Sequence, residues 1–133
     1  MQTYTKKKDS KYNNKKPEAY GRKWDSQMEL EFYEYNLELK EQGQVIDIEI
    51  QPVFLLQDKY IYKGKTIRKM EYKADFKITY SDGSVIVYDV KGQLIQPFPI
   101  KWKLVRFIYN DLDFRCVRSR GRKPNKVWEE MDV

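Results

Sequence analysis

Of the charged side chains between Tyr72 and Gly92, Asp75, Asp89 and Lys91 stand beside the apolar residues of two strands, Asp75 between Ala74 and Phe76 and Asp89 and Lys91 on either side of Val90. A charge placed there costs free energy unless it sits at a wet strand end, is paired, or meets a metal ion. Hairpin register distinguishes these cases, because a slip of one residue moves every side chain to the other face. A two-residue Asp82-Gly83 turn would set Phe76 opposite Asp89. A three-residue loop of Ser81, Asp82 and Gly83, with Gly83 in the left-handed conformation, instead sets Phe76 and Ile78 opposite Tyr88 and Ile86. The apolar match favours the longer loop, which also predicts that Asp75 pairs with Asp89 and that Lys91 shares their face. Two adjacent carboxylates repel, and a divalent cation between them relieves the repulsion. Mg²⁺ (or Mn²⁺) suits, since Mg²⁺ takes one or two protein carboxylates, retains waters and leaves room for a phosphate oxygen. Lys91 would then touch the attacking water or the phosphate and stabilise charge in the transition state.

Composition removes competing chemistries. The 133 residues contain no histidine and one cysteine, Cys116. Ser-His-Asp and Cys-His systems therefore lack their base, and the usual zinc sites lack their ligands. Cys116 reads as a buried strand residue that can make no internal disulfide. A formal charge of +6 and a pI near 9.2 favour a polyanionic partner, nucleic acid first, through release of its counterions. No long apolar run reads as a membrane span or signal peptide, so a soluble cytoplasmic protein with no membrane partner is expected. The length suits one domain.

These residues need elements to hold them. Residues 1–24 are Lys-rich without apolar periodicity and read as a flexible basic arm, whose Lys6, Lys7, Lys8, Lys15 and Lys16, interleaved with Tyr4, Tyr12 and Tyr20, suit a nucleic-acid backbone. Met28, Phe32, Tyr35 and Leu39 fall at helical spacing, which predicts a helix over about 26–41 that Gly43 stops. Ser26 and Glu29 form an S-x-x-E capping box, a role that would by itself explain Glu29. Val45 to Ile50 alternates, Pro52 breaks the strand, and Val53 to Leu56 resumes it. Asp58 to Lys69 reads as a loop or ribbon carrying Lys59, Lys63, Lys65, Arg68 and Lys69. After the two strands around the Asp82-Gly83 turn, an amphipathic helix is predicted over Ile100 to Asn110, with Pro99 in its first turn. A short strand at Phe114 to Val117 follows, then a charged tail over 119–133, with Arg118, Arg120 and Arg122 at this junction. Trp24, Trp102 and Trp128 read as packing groups. The order α, β, β, β, α, β predicts an α/β domain over 25–118, with a mixed central sheet flanked by helices.

Asp25-Ser26-Gln27-Met28-Glu29, Gln51-Pro52, Tyr72-Lys73-Ala74-Asp75-Phe76 and Asp89-Val90-Lys91-Gly92, ordered on helix, strand and strand, resemble the PD-(D/E)XK nuclease superfamily. More closely, the chain is similar to small phage-encoded proteins of that fold, related in design to Holliday-junction resolvases and transposon-end nucleases. The likeness runs from about Trp24 to Arg106. It implies a restriction-endonuclease-like core with Glu29 as the helix carboxylate, Asp75 as the central metal ligand, Asp89 as the second ligand and Lys91 as the catalytic lysine. Ala74 stands where the superfamily has proline, and Asp89 where Glu is commoner; Glu31 and Glu34 compete with Glu29. The implied activity is Mg²⁺-dependent or Mn²⁺-dependent endonucleolytic hydrolysis of DNA, branched DNA first, in phage DNA metabolism within the host cytoplasm. Lys63, Lys65, Arg68, Lys101, Arg118, Arg120 and Arg122 are expected to hold DNA beside the arm, with Lys101 and Gln93 facing the cleft. A homodimer is expected by analogy with resolvases, since symmetric cutting of two strands needs two sites. The rivals are a non-catalytic nucleic-acid-binding protein of the same fold, and an assembly protein with solvated basic tails. The complete Asp75, Asp89 and Lys91 set favours the enzyme over both.

Overall fold

A computed structural model describes residues 15–92, 98–122 and 126–133. Lys6, Lys7, Lys8 and Gln93, with Tyr4 and Tyr12, lie outside the described residues.

Helix α1 (Gln27–Glu41) begins where Ser26 Oγ accepts the Glu29 N–H at 3.1 Å. Gly43, at φ 83°, lets the chain leave the last turn, and the Gln44 N–H returns to the Leu39 carbonyl. Strands β3 (Val45–Ile50) and β4 (Val53–Gln57) form one long strand broken at Gln51-Pro52. They pair antiparallel with β8 (Phe76–Tyr80) and β7 (Met70–Lys73), which are broken in turn at Ala74-Asp75. A small ribbon, β5 (Tyr60–Tyr62) and β6 (Lys65–Ile67), caps the far end. Strand β9 (Val85–Val90) returns beside β8, α2 (Phe98–Ile108) crosses over, and β10 (Asp113–Arg120) lies parallel to β9.

The five-stranded sheet has the order β11-β10-β9-β8-β3, where β11 is Val127–Met131. It is mixed, because β9 and β10 run parallel and the other pairs antiparallel. Period-two alternation along β9 divides the core into two layers. Ile86, Tyr88 and Val90 pack with Phe76, Ile78 and the α1 residues Leu30 and Phe32. Val87 packs on the opposite face with Phe114, Cys116 and the α2 residues Trp102 and Val105. The molecule is thus an α/β domain with a mixed central sheet and a helix on each face. No helix among the described residues is long and apolar enough to cross a membrane.

The hairpin register is the one expected from the apolar match: Phe76 faces Tyr88, Ile78 faces Ile86, and Gly83 sits at φ 92° with its N–H on the Tyr80 carbonyl. The direct pairing of Asp75 with Asp89 is not formed. The ladder ends at Phe76 and Tyr88, and the Asp75 N–H also turns onto the Tyr88 carbonyl, at 3.1 Å. Asp75 and Phe76 therefore lie against one residue, a local irregularity that re-aims the Asp75 side chain.

The folded unit extends past 25–118 at both ends. Within residues 1–24, β1 (Glu18–Ala19) and β2 (Arg22–Lys23) make a hairpin turned by Tyr20 and Gly21, both at positive φ. Trp24 is buried, and its indole N–H donates to the Ala19 carbonyl at 2.9 Å. Strands of two residues, each with a charge, carry no detectable alternation, so lysine content dominates the sequence pattern there. At the other end β11 adds an edge strand, with Trp128 edge-on to Phe32 at 4.9 Å. Its acidic residues hide it in composition yet pair it in space, since Glu129 meets Arg118 at 2.8 Å and Arg120 at 3.1 Å.

Candidate functional site

The two strand breaks and the first turn of α1 meet at one place. Gln51 adopts φ 56°, a left-handed conformation that is costly for a residue with a β-carbon. Its N–H donates to the Asp75 carbonyl at 2.9 Å, and the Ala74 N–H donates to the Pro52 carbonyl at 3.0 Å. Both broken strands are thereby tied across the kink, and Asp75 is held at its apex. Its Oδ2 accepts the Val90 N–H at 2.8 Å, taking the position a strand carbonyl would fill.

Glu29 and Asp75 are both buried, and their carboxyls lie near enough to act on each other. Two ionised carboxylates brought together in a buried site repel each other. Burial, then the nearby carboxyl of Asp75, then the charge of Asp25 push the Glu29 pKa far above the ordinary carboxylate range, while Lys91 pulls it back. Ser26 Oγ still caps the Glu29 N–H, so the serine's half of the capping box forms while the Glu29 carboxyl lies near Asp75. Glu31 pairs with Lys126, and Glu34 accepts from the Tyr20 hydroxyl at 3.2 Å, so Glu29 is the α1 carboxyl that meets Asp75.

Asp89 is 1 % exposed, and its Oδ2 is buried with no hydrogen-bond partner. Its other oxygen lies 4.0 Å from Lys91 Nζ. Burial raises the Asp89 pKa to about 7 against the pull of Lys91. The parallel crossover sets Cys116 beside Asp89 in register, and burial with the Asp89 charge pushes its thiol up to about 12. Cys116 is the buried strand residue expected, and it is an inert wall to the site. Among the described residues no three His, Cys, Asp or Glu side chains are already gathered as a metal centre. The carboxyls stand instead as two neighbours, Glu29 and Asp75, and a third group, Asp89, beside a lysine.

Two neighbours went without a role in the sequence. Asp25 accepts from Lys16 at 3.1 Å and from the Gln51 side chain at 3.4 Å, which fixes the mouth of a small cleft shared with Glu29 and Asp75. Gln51 is part of the resemblance and precedes a proline, but proline disfavours the helical region there without specifying a left-handed one. A larger groove, about 570 Å³, lies along the outer face of α2 between Ile100, Leu104 and Phe107. It is apolar and contains none of the carboxyls.

The expected DNA-holding residues are dispersed. Lys15 is exposed, and Lys16 borders the cleft through Asp25. Lys63, Lys65 and Arg68 are exposed on or beside the β5–β6 ribbon. Lys101 donates to the Glu71 carbonyl at 2.9 Å and so ties α2 to β7. Arg118 and Arg120 are engaged by Glu129, while Arg122 is exposed. Comparison with curated proteins and with solved structures returns no match. One family model, described as "Protein of unknown function (DUF1064)", matches residues 9–123, and the chain belongs to that family.

Proposed function

We propose that the protein is a metal-dependent phosphodiesterase of PD-(D/E)XK type that hydrolyses DNA, with Glu29, Asp75, Asp89 and Lys91 as its site. The observation that carries this reading is the buried, partnerless Oδ2 of Asp89, whose other oxygen faces Lys91, together with the buried neighbouring carboxyls of Glu29 and Asp75. A buried acceptor that has lost water and gained no donor is costly, as are two carboxyls forced together. Both costs fall if a hard dication binds these carboxyl oxygens, and oxygen donors of this kind fit Mg²⁺ or Mn²⁺. Asp75 and Asp89 would hold it, with Glu29 completing the set. When bound, the ion supplies a Lewis acid for charge developing on the phosphate.

The chain does the rest. The kink at Gln51 and Asp75 fixes one ligand, the parallel pairing of β9 and β10 fixes Asp89, and the buried Val87 and Cys116 exclude water behind it. Lys91, which is part-exposed, would place its ammonium on a phosphate oxygen. Water adds to phosphorus, one P–O ester bond breaks, and solvent accepts the water's proton and returns one to the leaving oxygen. Symmetric cutting of two strands would need the homodimer, and branched DNA is the first substrate to try.

The test is cleavage of labelled four-way junction, flap and linear duplex DNA in Mg²⁺ or Mn²⁺ by wild type, Asp75→Asn and Asp89→Asn. Cutting by wild type that both substitutions abolish supports the reading. Binding without cutting on every substrate replaces it with the non-catalytic binding protein.

A further inference from the structure

The β5–β6 ribbon has no core of its own. Tyr60, Ile61 and Tyr62 are 46 %, 72 % and 58 % exposed, although they alternate between the two faces of a strand. Tyr60 and Tyr62 share one face with their cross-strand partners Ile67 and Lys65, and Ile61 shares the other with Thr66. A free two-stranded hairpin is marginal in water, and apolar groups bare on both faces add nothing to its stability. Its tip is nevertheless specified: Lys63 at φ 49° and Gly64 at φ 77° form the turn whose twist matches a hairpin.

Charge tells what could surround such a ribbon. Between Asp58 and Lys69 stand Lys59, Lys63, Lys65, Arg68 and Lys69 against a single acid, Asp58. Lys63 lies over the Tyr62 ring at 5.4 Å, and Lys69 pairs with Glu71 at 3.0 Å. The apolar residues thus sit in the middle, with cations at the tip and at the base. Two strands lie about 5 Å apart. With their side chains they fill a major groove about 12 Å wide, whose floor offers thymine methyls and whose walls are phosphates.

We infer that the β5–β6 ribbon enters the major groove of duplex DNA, with Tyr60, Ile61 and Tyr62 against the base edges and Lys63, Lys65 and Arg68 on the phosphate walls. This deepens the reading of the protein as a DNA hydrolase and rests on it. The five residues of β4 separate ribbon and kink by about 17 Å at the rise of a strand. That is about half a helical turn of DNA, so one duplex reaches both the ribbon and Asp75.

The experiment is fluorescence anisotropy of the full chain, in chelator, with labelled linear duplex DNA and with one of its strands alone. The proteins are wild type, a Tyr60→Ala/Tyr62→Ala double variant and a Lys63→Ala/Lys65→Ala double variant. Wild type is expected to bind duplex more tightly than single strand, and each double variant to lose about tenfold or more in duplex affinity. The lysine pair should also flatten the log–log salt dependence by about 2, one unit for each phosphate no longer neutralised. Unfolding temperatures should hold, because the substituted side chains are exposed. Duplex affinity unchanged in both variants, or single-strand binding as tight as duplex, overturns the groove assignment even if the enzyme cuts DNA. Loss of self-association in the tyrosine variant with duplex affinity intact overturns it in favour of a second copy. Ribbon-dependent binding without cleavage supports the ribbon while removing the hydrolase reading, and no binding by wild type overturns both.

Discussion

Asp89 has a carboxylate in the sequence and almost no water in the fold. Its pKa of about 7 exceeds the ordinary 3.8, and that of Glu29 is raised as well, so folding favours their neutral forms. The stability gained is full below the unfolded values and is lost as pH rises through the folded ones. In chelator, the unfolding temperature should therefore fall as pH rises from about 4 to about 7, more steeply in wild type than in Asp89→Asn, which has no proton to lose. Above pH 7 the asparagine variant should be more stable than wild type by about 1–3 kcal/mol, the cost of a stranded buried group. Mg²⁺ should close that gap by stabilising wild type alone, and equal pH profiles for the two proteins in scanning calorimetry would show that Asp89 is satisfied. Of this site, Asp89 and Lys91 were legible because a charge in an apolar strand demands an explanation. Cys116 was legible as a buried strand residue, but its place beside Asp89 was not, because a parallel crossover brings those distant segments into register.

The kinked strand pair is the element on which the site depends. Gln51→Gly should keep the kink and hold or raise stability, since glycine accepts a positive φ without strain. Gln51→Val should cost about 1–2 kcal/mol and misplace Asp75, checked by urea unfolding alongside catalytic rate. The break at Pro52 and the loop at Gly83 were readable, because proline and glycine punctuate a strand. The local irregularity at Asp75 was not, because strict alternation carried the register one residue too far and predicted a pairing with Asp89. The small β1–β2 hairpin escaped for a different reason, its lysines and its two-residue strands. Trp24 closes it onto Tyr33 and Phe76, with ring centroids at 4.8 and 6.2 Å. Trp24→Ala should cost about 3–5 kcal/mol in urea unfolding, as for a large core side chain, whereas a mobile arm would lose almost nothing.

Among the described residues of the whole molecule, the positive charge is spread over several elements. Lys16 sits by the cleft, the ribbon carries its own set, and Arg118 and Arg120 are partly spent on Glu129. The layered architecture was legible from two helical periods separated by alternating strands. The edge strand β11 was not, because its Glu129 and Glu130 read as solvated tail until Arg118 and Arg120 lie alongside. Those ion pairs are part-exposed and stabilise little, so Glu129→Gln should leave the unfolding midpoint in urea almost unchanged. It would free two arginines, and DNA affinity should rise in an anisotropy titration, most at low salt.

Whether the carboxyl and lysine cluster cuts phosphodiester bonds is tested most directly by comparing wild type with Lys91→Ala for Mg²⁺-dependent cleavage of linear and four-way-junction DNA. Lys91→Ala leaves every carboxyl in place, so DNA binding should persist while cleavage falls by roughly 100-fold or more, the scale of removing one transition-state donor. Equal cutting by the two proteins, or no metal-dependent product from wild type on either substrate, would contradict the proposed hydrolysis.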